Sequence, residues 1–305
     1  MKFFAVLIFS IIGVWTANAT DIKMFGQDKY GYSQPKYEEP SWEEIKKMQG
    51  VKILEAIAVD KHFPFSSSEQ GSIFTKIFEQ TAEKAQVYIL TYCDDNHYTD
   101  VVTEFERGHT ESPNALFGVY YEEVPYSQNQ FIYPAFFTND VHVIFAKERK
   151  LDIKEKSNLK DYRGVHVTTD TISKTVKKEI NSLGVKEVES FPQAFEELLT
   201  GKADYMVASY YPSLIELYKL GIRNYVAYSK TPIWKMPMFI KVDAKTRQDP
   251  RIKEFEKYLK SRSYKEKREK AFAELLEIYK RNTEGVVPPT YTNSFSQDKA
   301  EDTDK

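Results

Sequence analysis

Twice along the chain, short apolar runs rich in β-branched and aromatic residues alternate with segments in which apolar residues recur every three or four positions. The first series opens with "VKILEAIAVD", a strand. Next comes "SIFTKIFEQTAEKA", which places Ile73, Phe74, Ile77, Phe78 and Ala82 on one helical face. A strand "QVYILTY", a helix "YTDVVTEFERG" and a strand "NALFGVYY" complete the series. The second series reads "GVHVTT" strand, "ISKTVKKEINSLG" helix, "KEVESF" strand, "PQAFEELLTG" helix, "ADYMVASY" strand, "PSLIELYKLG" helix and "IRNYVAYS" strand. Strands that alternate with helices pair in parallel, because each helix is the crossover that returns the chain to the same edge. Two similar α/β halves are therefore predicted. One strand near 141–147 joins them, and a second crossing near 236–241 leads back to helices between Pro250 and Asn282.

With 305 residues, 41% of them hydrophobic and 29% charged, the chain has enough material for two lobes of ordinary domain size. The formal charge of -2 singles out no polyanionic partner, so nucleic acid is not expected. The opening "MKFFAVLIFSIIGVWTANA" has Lys2, an apolar run from Phe3 to Trp15, and Ala17 and Ala19 at cleavage-site spacing. It reads as a signal peptide over residues 1–19, removed on export. Without Lys2 the mature chain carries 42 basic and 45 acidic residues. Cys93 is the only cysteine, so neither an intramolecular disulfide nor a lipid-bearing cysteine after the cleavage site is expected. The expectation is a soluble periplasmic protein with no direct membrane insertion after cleavage. Residues 20–50, polar with scattered Tyr and Pro, read as an extension draped on the lobe built from both chain ends. Residues 283–305 read as a mobile tail.

The order of parts resembles the type II periplasmic solute-binding proteins, in particular the polar amino acid-binding group. The similarity rests on "HFPFSSSEQGSIFTKIFEQTAEKAQ", "NALFGVYY", "LKDYRGVHVTTDTISKTVKKEI" and "FPQAFEELLTGKADYMVASYYPSLIEL", in that order, and covers about 51–282. The resemblance implies a two-lobed α/β fold, each lobe a mixed sheet flanked by helices, joined by a two-strand hinge. Lobe 1 would hold residues 51–146 with 240–282, and lobe 2 residues 147–239. It also implies a protein that captures a small molecule between the lobes and delivers it to a membrane transporter or receptor.

Candidate ligand contacts come from two places. The stretch "TTDTIS" sets four hydroxyls and one aspartate at a strand-to-helix turn. A helix N-terminus has unpaired N–H groups and a partial positive charge, so Thr169, Asp170, Thr171 and Ser173 are candidates. Alternatively, Asp170 or Thr169 only caps the helix. Strand ends supply the rest, since an open sheet presents its carboxyl ends to a ligand. After the first strand lie His62, Phe63 and Phe65; after the third, Phe117, Gly118, Tyr120 and Tyr121; in the second half, Ser209, Tyr210 and Tyr211.

Two departures from the amino acid-binding pattern bear on the ligand. Where those proteins carry an arginine for the α-carboxylate, this chain reads "EEVPYSQNQF". Where they carry an acid for the α-amino group, it has Ser209. A desolvated, unpaired charge costs several kcal/mol, so a free α-amino acid is not the expected ligand, and a neutral, hydroxylated or aromatic one is. No nucleophile elbow, zinc helix, Walker loop or dinucleotide glycine pattern occurs, so neither an enzyme nor a cofactor is expected. "YCDDNHY" gathers Cys93, Asp94, Asp95 and His97, but adjacent residues seldom all point at one ion, and no metal is expected. The alternative function is a structural or interaction protein on the same fold with a degenerate cleft.

Overall fold

A computed structural model of the chain describes residues 24–27, 33–35, 50–58, 64–65, 73–74, 77–78, 85–93, 105, 107, 113–121, 130–149, 151, 153, 155–170 and 172–288. The leading segment 1–19, His62, Phe63, Ala82, Asp94, Asp95, His97, residues 122–129, Thr171 and the stretch from 289 onward lie outside the described residues.

A small antiparallel hairpin, β1 (Met24–Gln27) and β2 (Ser33–Pro35), precedes the main body. The first series then gives β3 (Lys52–Ala58), β4 (Val87–Cys93) and β5 (Ala115–Tyr120), with β3 parallel to both neighbours. Between β3 and β4, Ile73, Phe74, Ile77 and Phe78 are helical and buried, so the helical period read from the sequence does face the core. The crossing strand is longer than expected. β6 runs Phe131–Ala146, 16 residues, because the whole aromatic segment is extended.

The second series supplies β7 (Gly164–Val167), α1 (Lys174–Ser182), β8 (Lys186–Val188), α2 (Phe191–Leu199), β9 (Tyr205–Ser209), α3 (Tyr210–Lys219) and β10 (Val226–Tyr228). The chain returns along β11 (Trp234–Val242) to α4 (Ala244–Arg247), α5 (Pro250–Leu259) and α6 (Arg262–Asn282). Side-chain caps start most of these helices. Ser173, Ser190, Asp243, Asp249 and Ser261 each accept a first-turn N–H. Each such cap satisfies a donor that would otherwise lack a partner, worth about 1 kcal/mol.

Among the described residues the main sheet has the order β4-β3-β5-β11-β6-β9-β7-β8, with β10 alongside β6. β7 is parallel to β8 and β9, whereas β6 and β11 run antiparallel to each other and to the strands they join. The sheet is therefore mixed, with a parallel group on either side of a two-strand crossing. One contiguous set of buried side chains spans both groups, from Phe74 and Phe117 through Phe137 to Val207 and Ile215. A second cluster, including Val165, Phe195, Met206 and Leu217, closes the far side of the second half. Each fully buried Phe of this kind contributes about 1.5–3 kcal/mol. The turn before β9 is fixed by charge. Asp204 accepts from the Arg163 backbone N–H (2.7 Å) and Nη2 (2.9 Å) and also pairs with Arg149.

Candidate functional site

One parallel strand from each half, β5 and β9, flanks the β6–β11 crossing. On β5 a bulge aims the last residue. Val119 pairs with Phe239 and Phe117 with Ile240, which leaves Gly118 as the extra residue. Its φ of +73° is one that a side chain rarely adopts, and an added Cβ would lie 3.3 Å from the Met238 Cε. The extra residue breaks the two-residue alternation, so Tyr120 joins Phe117 in the central core while Leu116 and Val119 face the opposite cluster.

The Tyr120 hydroxyl there accepts from Asn139 Nδ2 at 3.2 Å, and the same Nδ2 donates to Ser209 Oγ at 3.1 Å. Ser209 ends β9 opposite Val141. Its backbone N–H donates to Asp170 Oδ2 at 2.7 Å, and its carbonyl accepts from Ser213 Oγ at 2.7 Å. Asp170 is placed by the tight turn after β7, where its N–H reaches the Val167 carbonyl and its own carbonyl accepts from Ile172. Ser173 caps α1 through Val176 N–H (3.3 Å), and its own N–H points to the Met236 sulfur (3.3 Å) on β11. Four segments thus meet in one chain of hydrogen bonds, β5, β6, the turn after β7 and β9, and the Ser173 N–H separately ties the start of α1 to β11. Asn139 and Ser209 are 0% exposed. Buried polar groups of this kind are held because losing a partner costs about 1–3 kcal/mol.

The two residues after Ser209 join a run of packed aromatic rings. Tyr211 lies 4.1 Å from the Phe272 ring centroid and 6.0 Å from Phe137. Burial, then the neighbouring Tyr210, pushes the Tyr211 hydroxyl up to about 12, so it stays protonated and can donate. Tyr210 stands 5.4 Å from the His142 ring, whose basicity is lowered by burial while Nδ1 stays near the Ser229 carbonyl at 3.1 Å. Next to α1, Trp234 Nε1 donates to Glu179 Oε2 at 2.6 Å, which ties β11 to the helix whose first turn borders the cluster. That bond, more than Lys156, holds the Glu179 carboxyl below the usual range.

Solved structures with this architecture include the GluR0 ligand-binding core in complex with L-glutamate, 15% identical, covering 73% of this chain and 98% of that one with a TM-score of 0.52. The chain has the type II periplasmic binding-protein fold. The VFT2 domain of BvgS from Bordetella pertussis is similar at 13% identity, 80% and 100% coverage and a TM-score of 0.49. A lysine-complexed ABC-transporter binding component from Wolinella succinogenes is similar at 12%, 73% and 94%, and 0.48. No family model and no curated protein matches the sequence.

On this binding-protein fold the residues singled out from sequence take several separate placements. Tyr120, Asp170 and Ser209 are brought together, and Gly118 supplies the bulge that aims one of them. Phe65 and Phe117 sit inside the aromatic core: Phe65 is 5.1 Å from Phe137 and 5.8 Å from Phe74, and Phe117 is 4.8 Å from Phe136. Tyr121 faces the opposite cluster, 5.1 Å from Phe131. Thr169 is exposed at the turn, Ser173 is a buried cap, and Tyr210 and Tyr211 form the first turn of α3. Asn139 is the residue that sequence reasoning missed. The signal was available: Asn139 lies in register with Phe137, Val141 and Val143 on the inward face of β6, where an amide is out of pattern.

Proposed function

We propose that this protein is an exported solute-binding protein whose two halves enclose a small polar molecule at the Tyr120–Asn139–Ser209–Asp170 chain. The reading takes residues 51–146 with 240–282 as one lobe and 147–239 as the other. It assigns delivery to a membrane transporter or receptor in the periplasm. The observation that carries it is the Asn139 amide, which bridges a strand end of the first half to a strand end of the second. A solute inserted there exchanges these neutral donors and acceptors for its own. The task assigned to the site is binding, not catalysis. Among the described residues no helix is long and apolar enough to cross a membrane. Asp170 brings a carboxylate to Ser209, so the argument from missing charges does not extend to amine-bearing solutes. Free amino acids therefore belong in the test beside sugars, nucleosides and small organic acids.

The test is native mass spectrometry of the purified protein followed by a thermal-shift screen of those classes. A solute that binds only the folded state adds about 2.7 kcal/mol at 100 times its Kd, several degrees for a chain of this size. A retained solute, or a shift of that size from one class, supports the reading; retention of none and no shift from any class favours a second one. That second reading is a structural or interaction protein with a filled cleft. It is favoured by the full burial of Asn139 and Ser209 and by the continuous core across both halves.

A further inference from the structure

A binding protein that works by hinge closure needs its two halves to rotate against each other. The last helix bears on that rotation. α6 has 21 residues, so it is about 31 Å long, and it contains neither Pro nor Gly at which to bend. Its first half is fixed to the first lobe. The Tyr264 hydroxyl donates to the Phe136 carbonyl at 2.8 Å, and Arg268 Nη1 donates to the same oxygen at 3.1 Å. The Tyr264 ring stacks 5.9 Å from Phe78, and Phe272 lies 6.0 Å from Phe74.

Its second half is fixed to α3, which follows β9 in the second lobe. Phe272 also meets Tyr211, and Lys219 Nζ stands 5.7 Å over the buried Tyr279 ring. Beyond the helix, the Thr283 hydroxyl donates to the Tyr279 carbonyl at 2.8 Å and Val286 N–H to the Thr283 carbonyl, so the chain turns in an ordered way. It then lies against Gly221, whose φ is +68° and whose added Cβ would meet the Val286 carbonyl oxygen at 3.0 Å. Only a residue without a side chain lets the two backbones come so close.

We propose that α6 and residues 283–286 form an interlobe latch, a stiff rod anchored to both lobes that holds the unliganded protein in a single closed arrangement. Opening requires release of its C-terminal anchor on α3 and Gly221. The inference rests on the lobe division proposed above and on these contacts, and it stands whatever occupies the cleft.

The experiment measures a distance between spin labels on exposed positions of the two lobes, Lys178→Cys on α1 and Lys253→Cys on α5, with Cys93→Ser and no ligand. The full chain is expected to give one narrow distance. A chain ending after Asn282 and carrying Tyr279→Ala is expected to give a broadened distribution shifted to longer distances. If that chain loses its cooperative melt, full-length Val286→Asp takes its place with the same expectation. A broad or two-population distribution in the unmodified full chain overturns the latch, and so does an unlatched variant that keeps the narrow distance. Because no solute is present, neither result depends on whether a ligand is ever found.

Discussion

His166 sits in the middle of β7, the strand that leads into the turn of the candidate site, and it is 0% exposed. Around it, Lys177 on α1 and Glu187 on β8 form an ion pair at 3.7 Å, and Glu187 Oε1 stands 3.9 Å from His166 Nε2. Burial, reinforced by the Lys177 charge and only partly opposed by Glu187, pulls the imidazole down from 6.5 to about 4. The sign follows directly. Below 6.5 the unfolded chain binds a proton that the folded protein refuses until about 4, so this group removes stability as pH falls through that window. With one unit worth about 1.4 kcal/mol, linkage gives a loss of roughly 1 kcal/mol at pH 5.5 and roughly 2–3 kcal/mol at pH 4.5 relative to neutral pH. Replacing His166 by Phe removes the titration while leaving the carboxylates unchanged. Urea unfolding of both proteins at pH 7.5, 5.5 and 4.5 should show the variant gaining on the native protein by those amounts. Parallel stability curves across the three pH values would refute the reasoning.

Three further expectations concern the frame around the site. Asp204→Ala should destabilise by about 2–3 kcal/mol in denaturant unfolding, less than a fully buried pair because Arg163 is 63% exposed and keeps its water. Burial alone would raise the Asp204 carboxyl, yet the Arg163 hydrogen bonds and the Arg149 charge leave it lowered, so its contribution is present above about pH 4 and is lost as pH falls through the folded value. Gly164→Ala should cost about 1–3 kcal/mol by overpacking, since the new methyl would run into the Tyr205 ring. Phe272→Ala should cost about 3–5 kcal/mol, because Phe272 is buried among Phe65, Phe74, Phe137 and Tyr211; a loss below 1 kcal/mol in the same assay would mean that the core there collapses without it.

The architecture was legible because periodicity reports which face is buried. The apolar runs around 51–60, 87–93 and 115–120 became β3, β4 and β5, and Ile73, Phe74, Ile77 and Phe78 turned inward together. The length of β6 was less legible, since Pro134 and a run of aromatics break any alternation over its first half. The site was legible only in part, for a physical reason. A Phe at a strand end has the same composition signal whether its ring faces a cleft or a core, and Phe65 and Phe117 met other phenylalanines. Tyr120 depended on a bulge, and a single glycine in a strand does not say to which side the alternation resumes. Short polar residues at strand ends met one another instead. Asp170 follows β7 and Ser209 ends the neighbouring β9, and there the backbone leaves donors that side chains must answer.

The central claim is that the amide on β6 is part of a solute site shared by both halves. Calorimetric titration of the solute found by screening into the native protein and into Asn139→Leu tests it most directly. Losing the amide removes two hydrogen bonds that organise Tyr120 and Ser209, worth together about 2–3 kcal/mol, so affinity should fall on the order of 100-fold in a variant that still melts cooperatively. Equal affinity in the two proteins would contradict the account.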